Sequence, residues 1–353
     1  MKIAIVCNYE LNPNRIGGMD RFWVAYDRKA RAAGYEVDWY FANYQHFDFF
    51  SNMTIFSANQ QNVEQFFLEQ ATNEKYQYDI LITHFVGLCS SFFKKTKEIG
   101  IKYTIAVDHN PRPLEGVPFT KIIKNKIKGI LYSRYIDQFV GVSKYTRKHI
   151  LKDYGFFLAA KTCVIYNGID TSVVVKRIQE NKNQFIVCSH LRESKGIQDL
   201  LKAVSVLEKD IKDQIQIDIY GEGPYEKELL RMTNNYNLDE IIHFKGSSSE
   251  LYKLLANYSY LVQPTYMECF SLSILESLAA NLPVITTTVG GNLEIIEDNK
   301  NGFIFEPRDF LALAGILKKI VVGNMKVNNE VYSQIENDFN LEKMVEEHIQ
   351  LLN

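Results

Sequence analysis

The stretch SYLVQPTYMECFSLSILESLAANLPVITTT, Ser259–Thr288, decides the fold. A short apolar run ending in proline reads as a strand. A helix-period segment follows over Leu272–Ala280, and PVITTT resumes as a second strand. Strand, crossover helix and strand make the unit of a parallel sheet with helices on its faces. Asn281 stands where the helix must end, in the left-handed conformation that asparagine tolerates. The loop TYMECF carries Glu268 just ahead of the helix, and Glu276 follows eight residues later. Three readings of that pair compete, the plainest being an ordinary solvated face. Ser273 and Glu276 have the S-x-x-E spacing of a capping box, which would make Glu276 structural. Alternatively, both carboxylates serve one ligand lying at the helix N-terminus, where free N–H groups and the positive dipole end attract anions.

The same alternation extends through the chain. Lys2–Cys7, Val37–Phe41, Ile80–Thr83, Tyr103–Val107 and Gln138–Val142 read as strands, as do QFIVCS, IQIDIY and IIHFKG in the second half. Helix-period segments lie between them, among them Asp20–Ala33 (closed by Gly34), Ile197–Leu207, Tyr225–Asn234, Ser249–Asn257 and Leu311–Val321. The glycine pair of TVGGNLEII reads as a close backbone approach leading into a further helix. At 353 residues the chain is too long for one ordinary core. The fold class is therefore α/β, with two Rossmann-like, doubly wound domains and a cleft at the carboxyl ends of their strands. The break is expected after VIYNGID, giving domains 1–170 and 171–339, because TSVVVKRIQENKNQ loses periodicity.

Charge and cysteine usage narrow the function. Forty basic against 42 acidic residues give a net charge of −2, which argues against a general nucleic-acid binder. The first 175 residues carry 22 basic and 16 acidic groups, and residues 101–150 carry 10 and 3, so one N-terminal region is markedly cationic. Five dispersed cysteines, Cys7, Cys89, Cys163, Cys188 and Cys269, form no CxxC pair and imply neither a zinc site nor a disulfide framework. The first strand is too short for a signal-peptide core, and no run reaches the roughly 18 apolar residues of a membrane span. A cytoplasmic location is expected, with peripheral attachment at the inner face of the membrane left open.

Other candidates fall at strand ends. His190, Arg192 and Lys195, in SHLRESKG, lie in a strand-to-helix loop where cations could neutralise a diphosphate. Gly221 in IYGEGP and Gly246 in IIHFKG end strands, and Gly17 and Gly18 precede the first helix, each readable as a plain turn or as a phosphate approach. His84 and His109 end two N-terminal strands. Ser143 and Asn167–Asp170 read as loop and cap chemistry.

Taken in order, GGMDRF, AAGYEV, YDILITH, IDQFVGVSKYT, VIYNGID, SHLRESKG, YGEGP and QPTYMECFSLSILESLAANLPVITTTVGG resemble the retaining glycosyltransferases of family 4 almost end to end. The most specific element is the E-x7-E pair of Glu268 and Glu276. The resemblance implies the GT-B architecture, two Rossmann-like domains facing across a cleft: an acceptor-side N-terminal domain and a donor-binding C-terminal domain. It also implies that a C-terminal helix at about 340–353 packs back on the first domain. It implies that Glu276 binds the nucleotide ribose and that Glu268 faces the sugar hydroxyls. Lys195 and Arg192 would grip the diphosphate, helped by the amides of Phe270, Ser271 and Leu272. Glu268, His109, Lys195 and Arg192 are the implied catalytic residues, and Gly17, Gly18, His190, Gly221 and Gly246 complete the donor site. Three positions depart from the pattern: His190 where the family has arginine, and Cys269 and Asn281 where it has glycine.

The expected activity is therefore retaining transfer of a hexose-type sugar from a nucleotide-diphosphate sugar to a glycan, lipid-linked or other cell-envelope acceptor. No D-x-D sequence occurs, so no metal or other cofactor is expected. The alternatives are a nucleotide-sugar 2-epimerase of the same fold and a non-catalytic nucleotide-sugar-binding subunit. The cationic run KIIKNKIKGILYSRY, Lys121–Tyr135, reads as a solvated helix or as a docking face for an anionic membrane surface.

Overall fold

The computed structural model describes the chain except residues 14–15, 73–76, 179–181, 328–329 and 353. Its contacts divide it into two units. One comprises Met1–Pro111, Glu115–Asn167 and Leu341–Asn353, and the other Arg112–Leu114 and Gly168–Asn340.

The strands of the first unit are β1 (Lys2–Glu10), β2 (Glu36–Asn43), β3 (Thr54–Ser57), β4 (Ile80–His84), β5 (Tyr103–Asp108), β6 (Gln138–Gly141) and β7 (Thr162–Val164). They pair in parallel in the order β3-β2-β1-β4-β5-β6-β7. The helices are α1 (Gly18–Ala32), α2 (Val63–Ala71), α3 (Ser91–Glu98), α4 (Phe119–Tyr132) and α5 (Lys144–Tyr154). The apolar spacing of α1 buries Phe22, Trp23, Tyr26 and Ala30, and Gly34 (φ +88°) lies just past its end, as the sequence predicts.

The second unit has β8 (Gln184–Cys188), β9 (Gln216–Tyr220), β10 (Ile242–Gly246), β11 (Tyr260–Gln263), β12 (Val284–Thr287) and β13 (Gly302–Phe305). These are also parallel, in the order β10-β9-β8-β11-β12-β13. Its helices are α6 (Ile197–Ser205), α7 (Lys209–Lys212), α8 (Glu226–Asn235), α9 (Leu251–Leu254), α10 (Leu272–Ala279), α11 (Phe310–Val321) and α12 (Ser333–Asp338). The last helix, α13 (Leu341–Gln350), belongs to the first unit. There it lies on α1, where Glu346 pairs with Lys29 (3.3 Å) and His348 meets Phe22 edge-on (5.0 Å).

Three details differ from expectation. The glycine pair of TVGGNLEII leads only into a 3-10 turn, Asn292–Glu294. Part of the polar segment 171–184 is docked: Val175 N–H donates to Tyr252 O and Arg177 N–H to Ala280 O. Residues 179–181 of that segment lie outside the described residues. The capping box of Ser273 and Glu276 does not form. The cap of α10 is Ser271, whose hydroxyl accepts from Ile274 N–H (3.3 Å), while Ser273 Oγ donates to Cys188 O (3.0 Å).

Candidate active site

In the second unit, strand order winds outward in both directions from the β8/β11 junction. Such a switch point leaves a crevice at the carboxyl ends of the strands, where ligands of open α/β sheets bind. The loop carrying His190, Arg192 and Lys195 leaves β8, and the loop carrying Glu268 leaves β11.

Backbone and buried polar contacts lock these loops together. Tyr266 N–H donates to Ser194 O (2.8 Å), and Thr265 Oγ1 donates to the same carbonyl (3.3 Å). The Tyr266 hydroxyl donates to Asp199 (2.5 Å) and accepts from Gln198 (3.1 Å). Thr287 Oγ1, at the end of β12, donates to Thr265 O (2.7 Å). Two glycines permit approaches that a side chain would block. A Cβ on Gly196 (φ +69°) would stand 1.8 Å from Pro264 O, and one on Gly290 (φ +67°) 2.0 Å from Glu268 O. Gly290→Ala should therefore destabilise the protein by about 1–3 kcal/mol from backbone conformation alone, with the clash on Glu268 added. Chemical denaturation of wild type and variant measures this, and unchanged stability would contradict the packing described.

The side chains meet in this locked frame. Lys195 Nζ pairs with Glu268 Oε2 at 2.9 Å, with only 22% and 12% of the two side chains exposed. Glu268 Oε1 accepts from Cys269 N–H (3.1 Å). Cys269 has no positive φ, so replacing the expected glycine costs the loop no left-handed strain, and Asn281 does adopt φ +58°. Phe270 is buried against Phe339 (5.4 Å), and Leu272 is half-buried. Among the described residues the N–H groups of Leu272 and Ser273 have no protein acceptor. These amides are the unsatisfied donors of a helix N-terminus. Glu276 is half-buried on the second turn of α10. Burial, and secondarily the Glu276 charge, push the Cys188 thiol up, which puts this carboxylate by the end of β8. His190 is half-buried, whereas Arg192 is exposed and its side chain forms no hydrogen bond or ion pair among the described residues.

Of the strand-end glycines, Gly221 has a packing role. A Cβ on Gly221 (φ +130°) would fall 1.9 Å from Ser189 O, and Gly246 O accepts from Gly221 N–H (2.8 Å). Gly221 thus fits the end of β9 against the loop after β8, and Gly246 ties the end of β10 to it.

In the first unit, Gly17 precedes α1 with φ −108°, and its N–H donates to Asp20 Oδ2 (2.8 Å). A carboxylate of the chain itself thus engages this N–H at the start of the helix, and Gly18 is buried as the first helical residue.

His109 follows β5, with 5% of its surface exposed. Its Nε2 lies 2.9 Å from His84 Nδ1, and its ring stacks on Phe85 (4.4 Å). His348 stacks near His84 (6.3 Å), donates from Nδ1 to Met344 O (3.0 Å), and has no hydrogen-bond partner at Nε2 among the described residues. Burial holds all three rings well below the usual histidine range, His109 at about 3 and His348 at about 4. His109 is consequently neutral at neutral pH and is no reservoir of protons.

In the unfolded chain these histidines take protons near pH 6.5, whereas the folded rings stay neutral. Acid therefore favours unfolding as pH falls from about 6.5 toward 4, with a slope approaching about 1.4 kcal/mol per pH unit for each ring. Thermal melting at about pH 7.5 and about pH 5 should show this loss, reduced in His348→Phe. Equal acid sensitivity in the variant would contradict the assignment.

Sequence reasoning missed Tyr266, Asp199, Gln198 and Ser194, which set the loop geometry. Only the serine and tyrosine within otherwise polar strand-end loops hinted at them.

Two family descriptions match the chain in tandem: Glycosyltransferase Family 4 over residues 16–173 and Glycosyl transferases group 1 over residues 169–337. An uncharacterized glycosyltransferase of Methanocaldococcus jannaschii is 28% identical over 190 residues, 52% of this chain and 51% of that protein. N-acetyl-alpha-D-glucosaminyl L-malate synthase of Bacillus anthracis is 28% identical over 160 residues, 42% of each. The chain thus spans about half the length of the curated relatives it matches. The structure of HepE from Anabaena in complex with UDP and glucose aligns with a TM-score of 0.79 at 16% identity, covering 100% of this chain and 99% of that one. The chain therefore has the GT-B fold, its first half matching the Glycosyltransferase Family 4 description and its second half the glycosyl transferases group 1 description.

Proposed function

We propose that this protein is a retaining, nucleotide-sugar-dependent hexosyltransferase acting on a glycan, lipid-linked or other cell-envelope acceptor without a metal. The observation that carries the reading is the Lys195–Glu268 pair at the β8/β11 switch point, beside the N-terminus of α10. A sugar diphosphate presents hydroxyls and an anionic phosphate side by side, and this pair offers a carboxylate and an ammonium side by side. Glu268 would accept from sugar hydroxyls, Lys195 and the α10 amides would hold the diphosphate, and Glu276 would bind the ribose. Exposed Arg192 is free to close on the phosphates, with His190 as the weaker partner. His109 would act as a neutral hydrogen-bonding group.

In the proposed reaction, the bond from the anomeric carbon to the diphosphate oxygen breaks, and its electron pair leaves with the diphosphate. The acceptor oxygen bonds to that carbon on the same face, and its proton passes to the departing phosphate oxygen. Preorganised cations and helix amides stabilise the charge that develops on the leaving group.

Incubation with a panel of nucleotide sugars, with and without candidate acceptors, tests the reading. A product of retained anomeric configuration is expected. An epimerised donor without acceptor would indicate an epimerase, and binding without turnover a non-catalytic subunit. Transfer should persist in excess EDTA, because fixed cations and a helix dipole already face the diphosphate. Loss of activity in EDTA, restored by magnesium or manganese, would contradict the electrostatic account.

A further inference from the structure

Helix α4 is turned inside out. Its apolar stripe, Phe119, Ile123, Ile127 and Ile130, follows one helical face at spacings of four, four and three, and it points to solvent. Phe119 is 74% exposed and Ile130 69%. The opposite face, Asn125, Lys128, Gly129 and Tyr132, turns toward the unit. Gly129 makes this seating possible, since a Cβ there would stand 2.0 Å from Tyr154 O at the end of α5. The patch continues into the 3-10 turn Phe156–Lys161, where Phe156 and Phe157 are 71% and 62% exposed. Lys126 lies over the Phe156 ring (5.6 Å), which makes helix and turn one surface.

Charge selects the occupant. Between residues 116 and 136 the chain has no acidic residue and five cations, of which Lys128 is on the inward face and Lys121, Lys124, Lys126 and Arg134 remain for the surface. A protein partner with an apolar face would gain nothing from that surplus, whereas an anionic bilayer uses both components: acyl chains take the isoleucines and phenylalanines, and headgroups take the lysines. Among the described residues no helix is long and apolar enough to cross a membrane, so attachment through α4 would be to one face. We propose that α4 and the Phe156–Lys161 turn form a docking surface for an anionic lipid membrane.

The test is co-sedimentation of the full chain with vesicles of phosphatidylcholine alone or containing phosphatidylglycerol, at low and high salt. Wild type should bind the anionic vesicles, lose binding at high salt, and ignore the neutral ones. Ile127→Glu with Ile130→Glu should abolish binding. Lys124→Gln with Lys126→Gln should weaken it about fivefold per charge removed. Unchanged melting temperature and donor hydrolysis confirm that the variants are folded, because these positions lie on the surface and outside the donor site. Failure of wild type to bind, equal binding to neutral vesicles, or self-association abolished by the isoleucine variant would each overturn the proposal. Donor hydrolysis is read separately, so failure of docking leaves the transferase reading to its own test.

Discussion

Lys195→Ala should lower turnover about 100- to 1,000-fold, a barrier increase of about 2.7–4 kcal/mol by analogy with the loss of one preorganised donor at a developing anion. The expectation rests on position. Lys195 sits in the loop leaving β8 at the switch point, with its ammonium 2.9 Å from Glu268. The same pair predicts a cost in stability, because the variant leaves the Glu268 carboxylate, only 12% exposed, with no paired cation among the described residues. The two effects separate in the double variant Lys195→Ala with Glu268→Gln. Removing the orphaned charge should recover much of the lost stability, while turnover stays low. Measured kcat/KM and melting temperature across the cycle decide it. A large loss of stability with near-normal turnover would make the pair structural.

Glu276→Ala should weaken nucleoside diphosphate binding about 10- to 150-fold, since each hydrogen bond to a charged group is worth about 1.5–3 kcal/mol. The competing explanation, a helix cap, is removed by the structure: Ser271 caps α10 and Ser273 bonds to Cys188 O. With no capping role, the variant should fold and melt near wild type. Calorimetric titration measures the affinity, and an unchanged value in the folded variant would take Glu276 out of the donor site.

Much of this site was legible in the sequence because it lies on a strand–loop–helix unit whose periodicity is strong. Leu272–Ala279 buries Ile274, Leu275 and Leu278 with helical spacing, and Asn281 closes it as expected. What sequence could not decide was partnership. Ser271 and Ser273 are equally good caps by type, and Gln263, donating to Ser271 Oγ at 2.7 Å from the end of β11, belongs to the first. Glycines 196, 221 and 290 are visible as glycines, but the carbonyls they approach come from other loops. The four-residue strands β3 and β13 carry too little pattern to separate from loop. In α4 the amphipathic pattern was plain, yet which face turned inward depended on Gly129 meeting Tyr154.

The central claim is that a nucleotide sugar binds where the loops leaving β8 and β11 lock together, against the start of α10. Hydrogen–deuterium exchange of the full chain, with and without the nucleoside diphosphate that binds best, tests it directly. Protection should rise in peptides covering residues 189–196, 264–276 and 288–292. Protection confined to other segments, with these three unchanged under saturating ligand, would contradict the account.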